Sequence, residues 1–190
     1  MLDKKEKIIQ ASIDVFKEKG IEKTKIADIV RKAGIAHGTF YLYFPSKLSV
    51  MPAIAEQIVL QFIKTIEATV SVEEPLHTQL NQLVDAIFQV TGEYRDVSVL
   101  IYAGLSSTEH ISQWETIYTP LYDLITSLLE KNKTRQLIRE TIDTALTPKL
   151  MIGLIESAAE QVYLYAGYDS ENEAKQKAEL LTFLEHALRP

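Results

Sequence analysis

The sequence predicts an all-α protein of about nine helices, in which a three-helix helix-turn-helix domain, residues 1–50, precedes a larger helical domain, residues 51–190. Three observations favour this fold class. Apolar residues recur at spacings of three and four along most of the chain, no stretch of useful length alternates apolar and polar residues, and a tight glycine turn joins two short helices near the N-terminus. The 190 residues are 46% hydrophobic and 24% charged, which is typical of an ordered globular protein.

Apolar stripes and glycines define the first four helices. The predicted segments are helix one around Ile8–Phe16, helix two from Thr24 to Ala33, helix three from Gly38 to Phe44, and helix four from Ser46 to about Val70. Gly20 and Gly34 are suited to end helices one and two, and Thr24 is suited to cap helix two. Pro52 lies one turn inside helix four and predicts a bend near Leu48.

The rest of the chain keeps helical spacing. Its predicted helices are Pro75–Gly92, Tyr94–Ser106, Ile111–Lys131 with Pro120 inside it, Pro148–Gly167, and Ser170 to about Arg189. Polar residues 132–146 predict a connection. Thr147 followed by Pro148 predicts a helix start, and Ser170 with Glu173 predicts a capping box.

Charge is unevenly distributed along the chain. Residues 1–50 hold ten Lys+Arg and six Asp+Glu, whereas residues 51–190 hold ten and twenty, which gives the whole chain a net charge of −6. The basic segment favours an anionic partner, although a solvated helical surface has the same composition. There is no cysteine, so disulfides and thiolate metal sites are excluded, and no apolar run approaches the roughly 18 residues that span a bilayer. We therefore expect a cytoplasmic protein with no membrane partner.

The segment AGIAHGTFYLYFPSK, residues 33–47, combines two glycines and four aromatic rings with polar side chains, which a core does not require. In a helix-turn-helix, residues at the N-terminus of the second helix reach base edges in the major groove, and neighbouring groups bind phosphates. Residue chemistry suits these contacts at Thr24, Lys25, His37, Gly38, Thr39, Tyr41, Tyr43 and Lys47. Phe40 and Phe44 are predicted to face inward. The alternative is that the tyrosines are half-buried core residues and His37 an ordinary surface histidine.

Residues 8–51 resemble the DNA-binding domain of the tetracycline-repressor (TetR) family of bacterial transcriptional regulators. The resemblance is carried by Ile9, Ala11, Phe16 and Gly20, by Thr24 through Ile29, by AGIAHGTFYLYF at residues 33–44, and by Ser46 and Lys47. It implies that DNA faces Thr24, Lys25, Ala36, His37, Gly38, Thr39, Tyr41, Tyr43 and Lys47. Two positions depart from the family pattern. Ala36 stands where a serine or another capping residue is usual, so a hydrogen bond is missing there, and Val30 replaces the usual alanine.

The resemblance also implies a function. It implies a ligand-responsive regulator, a repressor by family default, that binds a near-palindromic double-stranded operator as a homodimer and is released by a small-molecule effector. We expect no catalytic residue, no cofactor and no metal, because GxGxxG, P-loop and HExxH motifs and a cysteine nucleophile are missing, and Glu74-x-x-His77 is a single motif of a kind that works in pairs. The alternatives are a helical protein-binding adaptor and a helical enzyme that does not bind DNA.

Dimerisation is predicted independently from the last two helices. The helix from Pro148 to Gly167 is apolar nearly all round, so it must be covered on both sides. The candidate interface residues are Leu154, Ile155, Ala158, Ala159, Val162, Ala178, Leu181 and Leu184. The alternative is that both helices are internal core helices.

Aromatic residues supply the candidates for an effector pocket. Trp114, Tyr118 and Tyr122 recur every four residues, and Pro120 among them is expected to loosen local packing. The candidate set is Phe88, Tyr94, Tyr102, Trp114, Tyr118, Tyr122 and Tyr163, which would form an apolar site with a few hydroxyl groups. Plain core packing is the alternative. Glu156 and Glu160 lie one turn apart and are expected to be solvated; if buried, they would favour a cationic ligand.

Coupling between effector and operator is expected to pass through helix four. A ligand weakens DNA binding only by favouring a conformation in which the two DNA-binding domains no longer match the half-sites. The bend at Pro52 is predicted to help set their orientation, and a fixed bend without a regulatory role is the alternative.

Overall fold

The structure is a computed structural model, which describes residues 3–105, 114–165 and 169–190, with side chains described for residues 3–98, 115–165 and 169–190. The described part contains eight α-helices and no strand, which confirms the all-α prediction. The helices are α1 Lys4–Lys19, α2 Ile26–Ala33, α3 His37–Tyr41, α4 Met51–Thr69, α5 Leu76–Leu105, α6 Trp114–Thr134, α7 Thr147–Glu160 and α8 Ser170–Leu188. A 3₁₀ turn, Leu48–Val50, precedes α4, and a π-helical turn, Gln161–Tyr165, follows α7.

One long helix replaces two predicted ones. The segments expected to break between Gly92 and Tyr94 form the single helix α5. Gly92 does not end it, because its role is steric: a Cβ built there would lie 3.1 Å from the Tyr163 ring. A glycine in the middle of a helix costs stability, and here it makes room for an aromatic ring.

Three predicted helix starts are shifted. Lys25 caps α2 in place of Thr24, and Leu146 precedes α7 in place of Thr147, which is itself helical. The cap of α8 is Asp169, whose carboxylate accepts a hydrogen bond from the Glu171 N–H at 3.1 Å. The predicted capping box at Ser170 is therefore wrong by one residue, because an aspartate directly before it supplies the acceptor.

Pro52 occupies the first turn of α4 rather than its interior. A proline is tolerated there, because the missing N–H would have no partner within the helix anyway. The chain accommodates it with the 3₁₀ turn that ends one residue before α4 begins. Whether this position acts as a hinge stays a prediction.

The chain divides into two compact units. Unit 1 consists of Met1–Gln57 and Asp96–Ile117, and unit 2 of Ile58–Arg95 and Tyr118–Pro190. The division of the sequence into domains 1–50 and 51–190 stays a prediction.

Unit 1 is built around the apolar stripe of α1. This helix starts with a reciprocal cap, in which Asp3 accepts from the Lys5 N–H and Glu6 accepts from the Asp3 N–H. The buried apolar side chains of unit 1 come from α1, α2, α3 and the segment around the start of α4, and they include Ile8, Ile9, Ile13, Val15, Phe16, Ile29, Val30, Phe40, Phe44, Val50, Met51 and Ile54. This core leaves the opposite face of α3 uncovered.

Unit 2 is a bundle whose core runs through α4, α5, α6, α7 and α8. Its buried residues include Phe62, Ile66, Leu83, Ile87, Phe88, Leu121, Ile125, Ile152, Ile155, Leu184 and Leu188. Within it, Gln79 and Asn132 exchange two side-chain hydrogen bonds, at 3.1 and 2.8 Å. These bonds satisfy two buried amides and fix the pairing of α5 with α6.

Candidate DNA-binding surface and effector site

The turn between α2 and α3 is set by a glycine in the left-handed conformation. Gly34 has φ +66° and ψ +37°, which a side chain disfavours. The Ile35 N–H donates to the Val30 carbonyl at 3.1 Å, which closes the end of α2. The chain then starts α3 at His37, so the predicted helix-turn-helix is present.

The face of α3 away from the core carries the predicted DNA-contacting side chains. Phe40 is fully buried, whereas Tyr41 and Tyr43 are 50% and 39% exposed. The rings of His37 and Tyr41 contact each other with centroids 5.6 Å apart. Both tyrosines are therefore about half exposed, and their contact with DNA stays a prediction. Their hydroxyls are free to reach a ligand outside the chain.

The start of α3 offers an open approach to its backbone. Ala36 is the N-cap residue and forms no side-chain cap, as expected from its departure from the family pattern. Gly38 is exposed, and a Cβ built there would meet nothing within 4 Å. The first N–H groups of a helix have no partner within the helix, so this end can donate hydrogen bonds to a group outside the chain.

Thr24 is placed differently from the prediction. Its side chain is only 2% exposed, and its hydroxyl donates to the Gly20 carbonyl at 2.7 Å. The side chain therefore stabilises the connection between α1 and α2 and does not reach the surface. Lys25, the next residue, is exposed and is available for a phosphate.

Lys47 bonds to the protein's own backbone, and its contact with DNA stays a prediction. Its Nζ donates to the carbonyls of Ile21 and Thr24 at 2.5 and 2.9 Å. Two of the three N–H donors of an ammonium group are thus directed at backbone oxygens of the α1–α2 connection. The sequence could not predict this, because the carbonyls are 26 and 23 residues away along the chain.

Asp28 fixes α2 against its neighbours. Its carboxylate pairs with Lys19 at 2.9 Å and with Arg31 at 2.7 Å, and it accepts from the Lys25 N–H. The hydrogen bond from Lys19, followed by that from the Lys25 backbone, lowers the pKa of Asp28. The carboxylate therefore stays ionised and holds α1 and the start of α2 together.

Leu42 is a surface residue outside the predicted DNA-contacting set. It is 81% exposed, more than any other large hydrophobic residue among those whose side chains are described. The signal was present in the sequence, because Leu42 lies midway between the inward-facing Phe40 and Phe44 and so must point away from the core.

The effector candidates form two pairs in unit 2. The Phe88 and Tyr163 rings lie edge to face, with centroids 6.2 Å apart, beside Gly92. Tyr118 and Tyr122 have centroids 5.8 Å apart. Tyr94 is partly buried, and burial raises the pKa of its hydroxyl. The side chains of Tyr102 and Trp114 lie outside the described residues.

Glu156 is only partly exposed, in contrast to the prediction of a solvated carboxylate. Tyr118, itself buried, donates a hydrogen bond to the Glu156 carboxyl at 2.8 Å. Burial raises the pKa of Glu156 from 4.5 to about 8, and the negative charge of Glu160 adds to the shift, while the Tyr118 hydrogen bond opposes it. Most Glu156 side chains are therefore neutral at pH 7, so burial here does not present a negative charge to a ligand.

The predicted dimer residues separate into two groups. Ile155, Ala158, Ala159, Val162 and Leu184 are buried inside their own protomer, so the structure assigns them to its core. Ala178 is exposed, Leu181 is partly exposed, and Leu154 is 37% exposed. The sequence showed that α7 is apolar on both sides. It did not show which of these apolar residues are buried within the protomer and which remain exposed.

Uncovered apolar residues on α7 and α8 lie beside this second group. Leu146, Leu150 and Leu154 follow each other at four-residue spacing, and Leu150 is 73% exposed. Phe183 on α8 is 61% exposed, and with Leu154 it lines two neighbouring grooves between the helices. We refer to these four residues as the α7–α8 surface.

Comparisons with known proteins agree with the geometry of unit 1. Residues 8–56 match the family described as bacterial regulatory proteins, tetR family. Residues 80–188 match the family described as tetracyclin repressor-like, C-terminal domain. No helix in the described parts of the chain has the length and apolar character needed to cross a membrane.

Relatives and solved structures extend the match along the whole chain. The uncharacterized HTH-type transcriptional regulator YvdT of Bacillus subtilis (strain 168) is 40% identical over 185 residues, 97% of this chain and 95% of that protein. The fatty acid metabolism regulator protein of the same organism is 23% identical over 151 residues, 78% of each.

Two solved structures share the fold. One is the regulator FadR from Bacillus subtilis in complex with stearoyl-CoA, with a TM-score of 0.74 at 20% identity, over 94% of this chain and 96% of that one. The other is the fatty acid degradation regulator FadR from Bacillus halodurans, with a TM-score of 0.73 at 22% identity, over 95% and 96%. Two family matches and a relative of 40% identity over nearly its full length show that this chain belongs to the TetR family of bacterial transcriptional regulators.

Proposed function

We propose that this TetR-family regulator is a repressor that binds a near-palindromic operator as a homodimer and is released by a small-molecule effector. The observation that carries the proposal is the outward face of α3 and of the turn after it, where His37, Gly38, Tyr41 and Tyr43 are exposed opposite a buried Phe40. The side chains on this face include hydroxyls for phosphates, and the open start of the helix admits a base edge. The partner of the protein would be chromosomal DNA, so we expect the protein to act in the cytoplasm.

The α7–α8 surface supports the homodimer. Its apolar side chains are exposed on neighbouring parts of two helices, which costs free energy unless a partner covers them. In an isologous interface the same patch is used by both copies, and an apolar face without its own complement in the protomer suits that arrangement. Two DNA-binding domains related by a two-fold axis would then contact half-sites one helical turn, or a multiple, apart.

An acyl-bearing molecule is the effector class that we propose first. Phe88 is buried and Tyr163 packs on it. The carboxyl of Glu156, which Tyr118 contacts elsewhere in unit 2, is mostly neutral at pH 7, so the interior of unit 2 suits an apolar ligand better than a cation. The names of the FadR structures and of the fatty acid regulator point the same way, although their identity of 20–23% supports the fold alone. Stearoyl-CoA, with CoA alone as the control, is the probe.

Release would follow from differential binding. A tenfold loss of operator affinity requires the effector to favour the non-binding conformation by about 1.4 kcal/mol. Pro52, at the start of α4, is our candidate for the position where the change is accommodated. If Pro52→Ala left both operator affinity and the response to stearoyl-CoA unchanged, this hinge would be excluded.

The upstream region of the protein's own gene supplies the direct test. Nuclease protection by purified protein should cover an inverted repeat there, and stearoyl-CoA but not CoA should remove the protection. A fragment of equal length and scrambled sequence is the control. Protection of neither fragment would contradict the operator-binding proposal and favour the protein-binding adaptor, whereas protection that ignores stearoyl-CoA would contradict only the effector class.

A further inference from the structure

The DNA-facing helix lacks the side chains that most often recognise bases. Residues 36–44, AHGTFYLYF, contain no Arg, Lys, Asn, Gln, Asp or Glu. Bidentate contacts of Arg or Lys with guanine and of Asn or Gln with adenine are therefore impossible from this segment. The remaining way to read a base there is through short polar groups and apolar contacts, of which the usual target is the 5-methyl group of thymine.

Leu42 is a large apolar residue of this surface, and its side chain does not pack in the core. It is 81% exposed and lies between Tyr41 and Tyr43, both of which point out of the core. Isolated exposed leucines are common and need no explanation. Leu42 differs because it adjoins residues that already face the proposed partner, so a duplex docked on them would lie against it.

The backbone of α3 brings Leu42 and Gly38 onto one strip. Leu42 keeps helical dihedrals, φ −70° and ψ −23°, and its N–H donates to the Thr39 carbonyl at 3.3 Å. Residues four apart on a helix lie one above the other, so Leu42 stands one turn above Gly38. Because Gly38 has no side chain and open space around it, DNA can approach this strip closely, and Leu42 is the next group that it meets.

We propose that Leu42 recognises thymine by packing against its 5-methyl group in the major groove and is thereby a specificity-determining residue of the operator contact. This inference rests on the proposed function, since it needs DNA bound to the outward face of α3. Burying one methyl group contributes about fourfold in affinity, so two half-sites with one contact each contribute about tenfold or somewhat more.

The experiment removes the methyl group from the DNA and the isobutyl group from the protein in turn. A duplex is selected from a random pool with the full-length protein and synthesised in two forms, one with thymine and one with deoxyuridine at every thymine position. Wild type, Leu42→Ala and the control Leu60→Ala, which alters an exposed leucine of α4 in unit 2, are titrated with both forms by fluorescence anisotropy. This is a double-mutant cycle across the interface.

The expected result is a loss of about tenfold for wild type and for Leu60→Ala when deoxyuridine replaces thymine. Leu42→Ala should bind the thymine duplex more weakly by about the same factor and should bind both duplexes equally. An equal loss on deoxyuridine for wild type and Leu42→Ala would overturn the inference, because another residue would then read the methyl group. A Leu42→Ala protein that loses self-association would also overturn it, because the weaker binding would then come from loss of the dimer.

A failure of the proposed function looks different. In that case selection would return no duplex that wild type prefers, and the inference would fail with it. Because Leu42 is exposed, its replacement by alanine should leave the folded state intact, and circular dichroism of each variant checks this.

Discussion

The Lys47 ammonium lies 2.5 Å from the Ile21 carbonyl oxygen, and it also donates to the Thr24 carbonyl at 2.9 Å. A lysine just before α4 thereby fastens the connection between α1 and α2. Thr24 adds to the same connection with its own hydroxyl bond to Gly20. Two side chains expected to contact phosphate thus hold the helices that present α3.

Lys47→Met should make the folded protein less stable. Losing two hydrogen bonds from a charged donor should lower the free energy of unfolding by about 1–3 kcal/mol. Operator affinity should fall because the helix-turn-helix is held less firmly, but its dependence on salt should not change. Urea denaturation and anisotropy titrations at several salt concentrations measure the two effects.

Lys25→Gln is the matched control, because Lys25 is exposed. It should leave the free energy of unfolding unchanged and reduce the slope of log affinity against log salt by about 0.9 for each phosphate that the lysine neutralises in the wild-type complex. If Lys47→Met reduced this slope instead and left stability unchanged, Lys47 would bind a phosphate after all.

The two glycines that flank the turn should respond oppositely to alanine. Gly34→Ala should lower the free energy of unfolding by about 1–2 kcal/mol, because an L side chain at φ +66° is strained although the space is open. Gly38→Ala should keep or slightly raise stability, since alanine favours a helix, while operator affinity falls as the methyl group intrudes. Thermal unfolding and anisotropy check both. Wild-type affinity in Gly38→Ala would show that DNA does not approach this strip closely.

Glu156 should make the protein less stable at higher pH. Its pKa of about 8 lies above its ordinary value of 4.5, so between these values the folded protein holds a proton that the unfolded chain has lost. The free energy of unfolding therefore falls as pH rises from about 4.5 to about 8. Glu156→Gln keeps an acceptor for Tyr118 and removes the titration. Its stability relative to wild type should rise by about 1–3 kcal/mol across this range, measured by denaturant unfolding.

Tyr118→Phe sharpens this test. The Tyr118 hydrogen bond lowers the pKa of Glu156, so removing it should move the pH-dependent window upward. Parallel stability curves for wild type and Glu156→Gln between pH 5 and pH 8 would show that Glu156 is solvated in solution.

Gly153→Arg should separate the proposed homodimer without unfolding the protomer. Gly153 is exposed on α7, a Cβ there meets nothing within 4 Å, and it shares a face with Leu146 and Leu150. Sedimentation should show wild type as a dimer and Gly153→Arg as a folded monomer, because a charged side chain would enter the interface. Glu67→Arg, at an exposed position of α4, should remain dimeric. A dimeric Gly153→Arg protein would move the interface away from the α7–α8 surface.

Local signals were enough to predict the helix-turn-helix. Gly34 ends α2, and the spacing of Phe40 and Phe44 places the tyrosines outward, so the turn and the exposed face follow from neighbours in sequence. Lys47 could not be placed in this way, because its partners are brought to it by the fold. Gly92 was misinterpreted as a helix end because its reason for being small is a ring on another element.

The helical bundle shows the same limit. Periodicity showed that α7 is apolar on several sides, but only the packing of unit 2 shows that Ile155 and Ala159 are covered within the protomer while Leu150 is not. For Glu156, sequence spacing gave its neighbour Glu160 but not the Tyr118 hydroxyl that reaches it from α6. In both cases the environment of the residue depends on packing by other helices, which the local sequence does not show.

The salt dependence of duplex binding tests the central claim most directly, namely that the outward face of α3 binds DNA. Anisotropy titrations of the full-length protein against its selected duplex should show affinity falling linearly on a log–log scale between roughly 50 and 300 mM salt, with a slope of about −0.9 per phosphate neutralised. Tyr41→Phe should weaken this binding at every salt concentration. Failure of the protein to bind any duplex at the lowest salt concentration would contradict the account.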